Sequence, residues 1–196
     1  DGKLLNEALK RHGKKLLIED YQADLTVVNE LPLTGANIVT ASALFDLASR
    51  EFCDALIARI DSRKTAIYAA LNYDGTTQWL PEHPLDETVL AAFNKDQLRD
   101  KGFGPALGPG ATEYLKTQLE NTGYTVHVAA SPWQLSSQQQ PLVEALIEGI
   151  TNAVVQDYGI DQHALEEWKQ FRLQHAATGT CSIGHWDLLA LPAAKS

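Results

Sequence analysis

Leu4, Leu5, Ala8 and Leu9 recur at the spacing of one helix face, with charged residues between them, and Gly13 stands where such a helix would stop. The spacing predicts a helix over 3–12. Leu16–Ile18 and Leu25–Val28 are short apolar pieces, and Asn37–Ala41 is rich in β-branched residues with Gly35 just upstream. All three read as strands. Phe52, Leu56, Ile57 and Ile60 then mark one side of a helix whose other side carries Arg50, Glu51, Asp54 and Arg59. Thr65–Leu71 is apolar nearly throughout, as expected of a central strand covered on both faces, and the turn residues Asn72-Tyr73-Asp74-Gly75 end it. Asp86–Arg99 reads as a helix with Val89, Leu90 and Phe93 inward, and Ala111–Leu119 as another that stops near Gly123. In Tyr124–Ala129, Tyr124, Val126 and Val128 alternate with Thr125 and His127, the period of a strand.

Ser137 and Gln140 have the spacing of a capping box, and Leu142, Leu146, Ile147, Ile150 and Val154 continue as a helical stripe up to Gly159. Asp161 is placed to cap a further helix, with Ile160 and Leu165 as a hydrophobic staple and Trp168 and Phe171 on its buried side. Thr180–Leu191 reads as a last strand, in which Gly184 marks a bulge or a point of close approach. Strands alternate with helices through the middle of the chain, the order of an open, mostly parallel sheet with helices on both faces. The fold class is α/β, and no repeat, long linker or low-complexity tract divides the chain.

The 196 residues suit one domain, and a hydrophobic fraction of 44% is enough to build a core. A net charge of −9, with no basic cluster longer than Lys14-Lys15 or Arg63-Lys64, argues against nucleic acid as a partner. No apolar run has the length needed to span a bilayer, and residues 1–15 are too charged for a signal peptide, so a cytoplasmic protein without a membrane partner is expected. Cys53 and Cys181 lack the spacings of zinc sites and disulfide frameworks and read as buried thiols. The chain contains no methionine, which fits a fragment of a longer gene product.

Ala36–Leu47 (Ala-Asn-Ile-Val-Thr-Ala-Ser-Ala-Leu-Phe-Asp-Leu) resembles the fourth-strand motif of class I S-adenosylmethionine-dependent methyltransferases. Tyr21-Gln-Ala-Asp24-Leu25 resembles the end of the third strand in that family, and Ala92–Pro109 and Gly184–Pro192 are similar to one bacterial branch of it. The resemblance spans nearly the whole chain. It implies a Rossmann-like sheet with an antiparallel last strand, a helical insertion at about 137–177, and S-adenosylmethionine as cofactor.

The family's glycine-rich cofactor loop, which follows its first strand, has no counterpart here. The run Gly102–Gly110 follows a helix, so it fails the context of a phosphate or dinucleotide loop and reads as a connection between helices over the substrate end of the pocket. The strand at Asn37–Ala41 would then have an open edge, an invitation to pairing. The expectation is that 1–196 is the C-terminal part of the methyltransferase domain, preceded by roughly 60–90 further residues, and that alone it binds the cofactor weakly.

The resemblance implies cofactor contacts at Asp24, toward the adenine amino group, at Leu25, and at Thr40, Ala41 and Ser42 on the strand end; Asp1 would lie toward the ribose. On the acceptor side, Phe45 and Asp46 follow one parallel strand and Tyr73 and Asp74 the next, so both pairs face the same crevice. Asn94, Gln97, Asp100 and Lys101 continue this group, the first three at the spacing of one helix face. Trp133 reads as a loop plug, and His185 and Asp187 share one face of the last strand. The six histidines show no metal-ligand spacing, so no metal is expected, and no catalytic triad is visible. Two functions remain open: methyl transfer to a small-molecule acceptor, and a non-catalytic binding or scaffold protein with a methyltransferase-like fold, including a shortened form that pairs its open edge in a homodimer.

Overall fold

The computed structural model describes residues 19–155 and 159–193, so the predicted helix over 3–12, the piece Leu16–Ile18 and the position of Asp1 lie outside the described residues. The chain forms two compact units, 1–32 and 33–196.

In the first unit the predicted strand Leu25–Val28 is instead a turn followed by a single 3-10 turn, Val28–Glu30. Asp24 explains the difference. Its Oδ1 accepts the Thr26 backbone N–H at 2.9 Å and the Thr26 hydroxyl at 2.7 Å, and its carbonyl accepts the Val27 N–H at 3.1 Å. A short acidic side chain that bonds two residues ahead turns the backbone out of an extended path.

The second unit contains, in order, β1 (Ile38–Ser42), α1 (Arg50–Asp61), β2 (Ala66–Leu80), α2 (Asp86–Asp96), α3 (Ala111–Asn121), β3 (Thr125–Ala130), β4 (Trp133–Leu135), α4 (Gln140–Val154), α5 (Gln162–His175) and β5 (Thr180–Leu191). The sheet order is β1-β2-β5-β3, with β4 paired to the start of β5. β1 and β2 are parallel, from Ile38 opposite Ala66 to Ser42 opposite Ala70. β5 is antiparallel to both β2 and β3, so β1, β2 and β3 run the same way and only the last strand of that path opposes them. The α/β class and the antiparallel last strand are as expected from the sequence. Helices α4 and α5 lie in the chain between β4 and β5. No helix among the described residues is long and apolar enough to cross a membrane.

Three local expectations need correction. The capping box is formed by Ser136 and Gln139, one residue earlier than the spacing suggested, and it caps a short 3-10 turn that runs into α4. The stripe of α4 buries Val143 rather than Leu142, which is 42% exposed. The third concerns β2, which does not end at Asn72-Tyr73-Asp74-Gly75 but continues to Leu80 through two register shifts against β5. Its first half is not sealed on both faces either, because Tyr68 is exposed and donates to Asp187 Oδ2 at 2.5 Å.

A hydrophobic cluster lies where α2, α4 and α5 meet β2, β4 and β5, around Trp79, Val89, Ile147, Ile150, Leu165 and Trp168. Asp161 caps α5 by accepting the Ala164 N–H at 2.9 Å, and both staple residues, Ile160 and Leu165, join this cluster as expected. Within it sits one buried ion pair. The Arg172 guanidinium contacts the Asp86 carboxylate, donates to the Pro81 carbonyl at 2.6 Å, and lies 5.1 Å from the ring centre of Trp79. Trp168 Nε1 and the His83 backbone N–H also donate to Asp86, each at 2.8 Å. Removal of a carboxylate with this many donors would leave the buried Arg172 charge stranded.

Candidate functional site

The segment that follows β1 turns at the carboxyl end of that strand, beside the middle of β2, and the carboxyl end of a parallel strand is where open α/β sheets bind ligands. A cavity of about 170 Å³ lies there, lined by Asp46, Tyr73, Phe93, Gln97, Trp133 and His185 over an aliphatic floor of Leu146, Ile150 and Ile183.

The local backbone explains why these side chains meet. β1 closes at Ala43, which adopts φ +50° and donates its N–H to the Ala70 carbonyl at 3.0 Å. The chain then turns so that Phe45 and Asp46 are buried ahead of α1, which Ser49 caps by accepting the Phe52 N–H at 3.2 Å. The glycine-rich segment packs against this turn: Leu107 donates to the Ala48 carbonyl at 2.8 Å and Gly108 to the Asp46 carbonyl at 2.9 Å. It connects α2 and α3, beside the cavity, as expected of an inter-helix loop.

On β2, Tyr73 pairs with His185 and Thr77 with Ile183, so Asp74, Gly75 and Thr76 bulge opposite the single residue Gly184. Gly184 must lack a side chain: a Cβ there would stand 2.1 Å from both Asp74 Oδ1 and Thr76 Oγ1. Asn94 on α2 clamps the bulge, accepting the Tyr73 hydroxyl at 3.0 Å and donating to the Gly75 carbonyl at 2.8 Å. Burial pushes the Tyr73 phenol up to about 12, so it stays protonated as the donor to Asn94.

His185 is buried in β5, with its ring 5.1 Å from Trp133 and 6.2 Å from Tyr73. Its Nδ1 lies 3.1 Å from the Ile183 carbonyl, which can only accept, so Nδ1 carries a proton. Asp46 is 7% exposed, and its Oδ1 is buried without a hydrogen-bond partner. Burial raises the Asp46 carboxyl above the usual carboxylate range, against the opposing effect of backbone amides and of His185.

Of the residues singled out from the sequence, the structure brings Asp46, Tyr73 and Gln97 to the cavity and Asn94 directly behind it. Phe45 is fully buried as part of the core, and Asp74 shapes the bulge by accepting the Thr76 N–H at 2.8 Å. Asp100 and Lys101 do not line the cavity. Asp100 accepts the Gly102 and Gly104 amides at 2.7 and 3.0 Å and so organises the loop, and Lys101 pairs with Asp96 at 2.6 Å. Thr40, Ala41 and Ser42 form the carboxyl end of β1, with Thr40 and Ser42 exposed. Asp24 and Leu25 belong to the first unit.

Trp133 and His185 line the cavity, although the sequence suggested a loop plug and a structural histidine. Trp133 is in fact on the short strand β4, opposite Ile183. Asp187 is a structural hub. Burial works to raise its carboxyl, but donors at Ser131, Tyr68 and the Leu71 N–H, at 2.6, 2.5 and 2.9 Å, bring it below the ordinary value. Cys53 and Cys181 are buried thiols, as expected, and burial pushes both up to about 12.

No protein-family model matches the chain, and no curated protein matches it either. Among solved structures it is similar to Haemonchus contortus Phospholethanolamine N-methyltransferase 2 in complex with phosphomonomethylethanolamine and S-adenosylhomocysteine, at 14% identity and a TM-score of 0.29. That match covers 81% of this chain and 34% of the other, so the chain spans about a third of its neighbour's length.

Proposed function

We propose that the protein transfers a methyl group from S-adenosylmethionine to a small-molecule acceptor seated in the cavity beyond the carboxyl end of β1, beside the middle of β2. The observation that carries this reading is the placement of a concave, ring-lined site beyond the carboxyl end of β1 and beside the middle of β2, next to the β1 end that the sequence resemblance marks as the cofactor side. The β1 end suits that group in character: Thr40, Ala41, Ser42 and Ala43 present only small side chains, with Thr40 and Ser42 exposed and able to hydrogen-bond. These residues would hold it. When bound, the cofactor supplies an electrophilic methyl on a sulfonium, a group that needs no further activation.

The protein's work is then to hold the acceptor in line and to take up any proton it sheds, which together supply most of the rate. Tyr73, Phe93 and Trp133 exclude water around the acceptor, and the Asn94 clamp fixes Tyr73. His185 Nε2, free to accept because Nδ1 is committed to Ile183, takes the proton that an acceptor N–H or O–H gives up.

The test is transfer of radiolabelled methyl from S-adenosylmethionine to a pool of small acceptors, with Ile150→Trp as the control that fills the cavity from its floor. Transfer that disappears in Ile150→Trp while the fold survives supports the reading. Transfer unaffected by filling the cavity contradicts it.

A further inference from the structure

The cavity contains an unbalanced carboxylate. Asp46 is 7% exposed, its Oδ1 is buried without a partner, and no lysine or arginine lines the space around it. Buried carboxylates in folded proteins are paired with a cation or saturated with hydrogen bonds, because stranding one costs several kcal/mol. Asp86 in this same protein shows the ordinary solution, with Arg172, Trp168 and His83 all donating to it. Asp46 has only backbone amides and the nearby His185 acting on its carboxyl, and its Oδ1 has no partner.

The surroundings of Asp46 indicate what would complete it. Tyr73, Phe93, Trp133 and His185 bring four rings to a space of about 170 Å³. Aromatic walls attract organic cations through their ring quadrupoles, and a carboxylate oxygen forms its strongest hydrogen bonds with N–H groups that carry charge. The remaining lining is aliphatic, which suits an apolar body behind the cationic head. A neutral alcohol or an acid would leave Asp46 without a counter-charge.

We propose that the cavity selects a small primary or secondary amine with an apolar body, bound as its ammonium ion beside the Asp46 carboxylate. This deepens the methyl-transfer reading and rests on it for the fate of the bound amine: His185 Nε2 removes one ammonium proton, the nitrogen lone pair so freed forms the new N–C bond, and the C–S bond breaks with its electron pair left on sulfur. Asp46 keeps the charge of the site balanced before and after the proton moves.

Calorimetric titration of the unaltered protein with benzylamine and with benzyl alcohol, its neutral analogue, tests the selection without any variant. The amine should bind roughly tenfold or more tightly than the alcohol, the weight of one hydrogen bond to a charged group, and Asp46→Asn should erase that preference. Equal or tighter binding of the alcohol, a preference retained in Asp46→Asn, or binding of neither compound overturns the proposal. If Asp46→Asn does not fold, the comparison in the unaltered protein decides alone. Selective amine binding without methyl transfer leaves this inference standing and sinks the methyl-transfer reading. Methyl transfer to a neutral acceptor, unchanged in Asp46→Asn, does the reverse.

Discussion

Gly184 on β5 lies directly beneath Asp74 on β2, so close that a Cβ on Gly184 would stand 2.1 Å from Asp74 Oδ1. The contact lets three residues of β2 arch over one residue of β5, and the arch keeps Tyr73 opposite His185. Gly184→Ala should therefore push the arch away and destabilise the fold by about 1–3 kcal/mol, the range for overpacking in a well-filled site. Urea unfolding followed by circular dichroism measures this. Unaltered stability would mean that the arch yields without strain.

Asn94 ties the same arch to α2 through two bonds, to the Tyr73 hydroxyl and the Gly75 carbonyl. Asn94→Ala strands both partners and should cost about 1–3 kcal/mol, whereas Tyr73→Phe removes one donor and should cost about 0.5–1.5 kcal/mol. The two variants compared under identical denaturant conditions check the order. Equal costs would show that the Gly75 bond contributes nothing.

Arg172 is 2% exposed and pairs with the Asp86 carboxylate. Replacing either residue alone leaves a buried charge and should destabilise by about 3–5 kcal/mol, while a double replacement by apolar residues of similar volume should cost much less. A double-mutant cycle in urea gives the coupling directly. Additive losses would contradict a paired network.

Asp46 and Asp187 give stability opposite dependences on pH. Asp46 has a folded-state pKa raised by burial, so its contribution is most favourable below the ordinary carboxylate value and is lost as pH rises through the raised one. Asp187 is lowered, because its donors outweigh burial, so its contribution is present above the ordinary value and is lost as pH falls through the lowered one. Melting temperatures recorded from about pH 3 to 8 should show the neutral-side decline removed in Asp46→Asn and the acid-side decline reduced in Asp187→Asn. At neutral pH, Asp46→Asn should be more stable than the parent while binding amine less well, the trade expected of a residue kept for binding.

Much of the fold was legible because its elements follow local rules. Thr180–Leu191 was found to the residue from its apolar content, and Arg50–Asp61 and Ala111–Asn121 from their periodic faces. The continuation of β2 was not legible, because Asn72-Tyr73-Asp74-Gly75 carries the chemistry of a turn, and that chemistry is used within the strand. The Asp74 side chain bonds Thr76 as it would in a turn, while β5, more than a hundred residues away, holds the strand in line.

The site was partly legible for a related reason. Asp46 follows β1, whose end can be read from sequence, whereas Tyr73 reaches the cavity from within β2. Trp133 and His185 reach the cavity through pairing between β4 and β5, which no short-range pattern announces. Asp100 and Lys101 looked like neighbours of the site, but local partners claim both: the glycine amides of the loop and Asp96.

The proposed methyl transfer requires that this fold bind the methyl donor and hold an acceptor beyond the end of β1. The measurement closest to it is thermal unfolding of the protein, with and without S-adenosylhomocysteine. At a ligand concentration about 100 times its dissociation constant, stabilisation of roughly 2.7 kcal/mol is expected. An unfolding curve unmoved by millimolar S-adenosylhomocysteine would contradict the account.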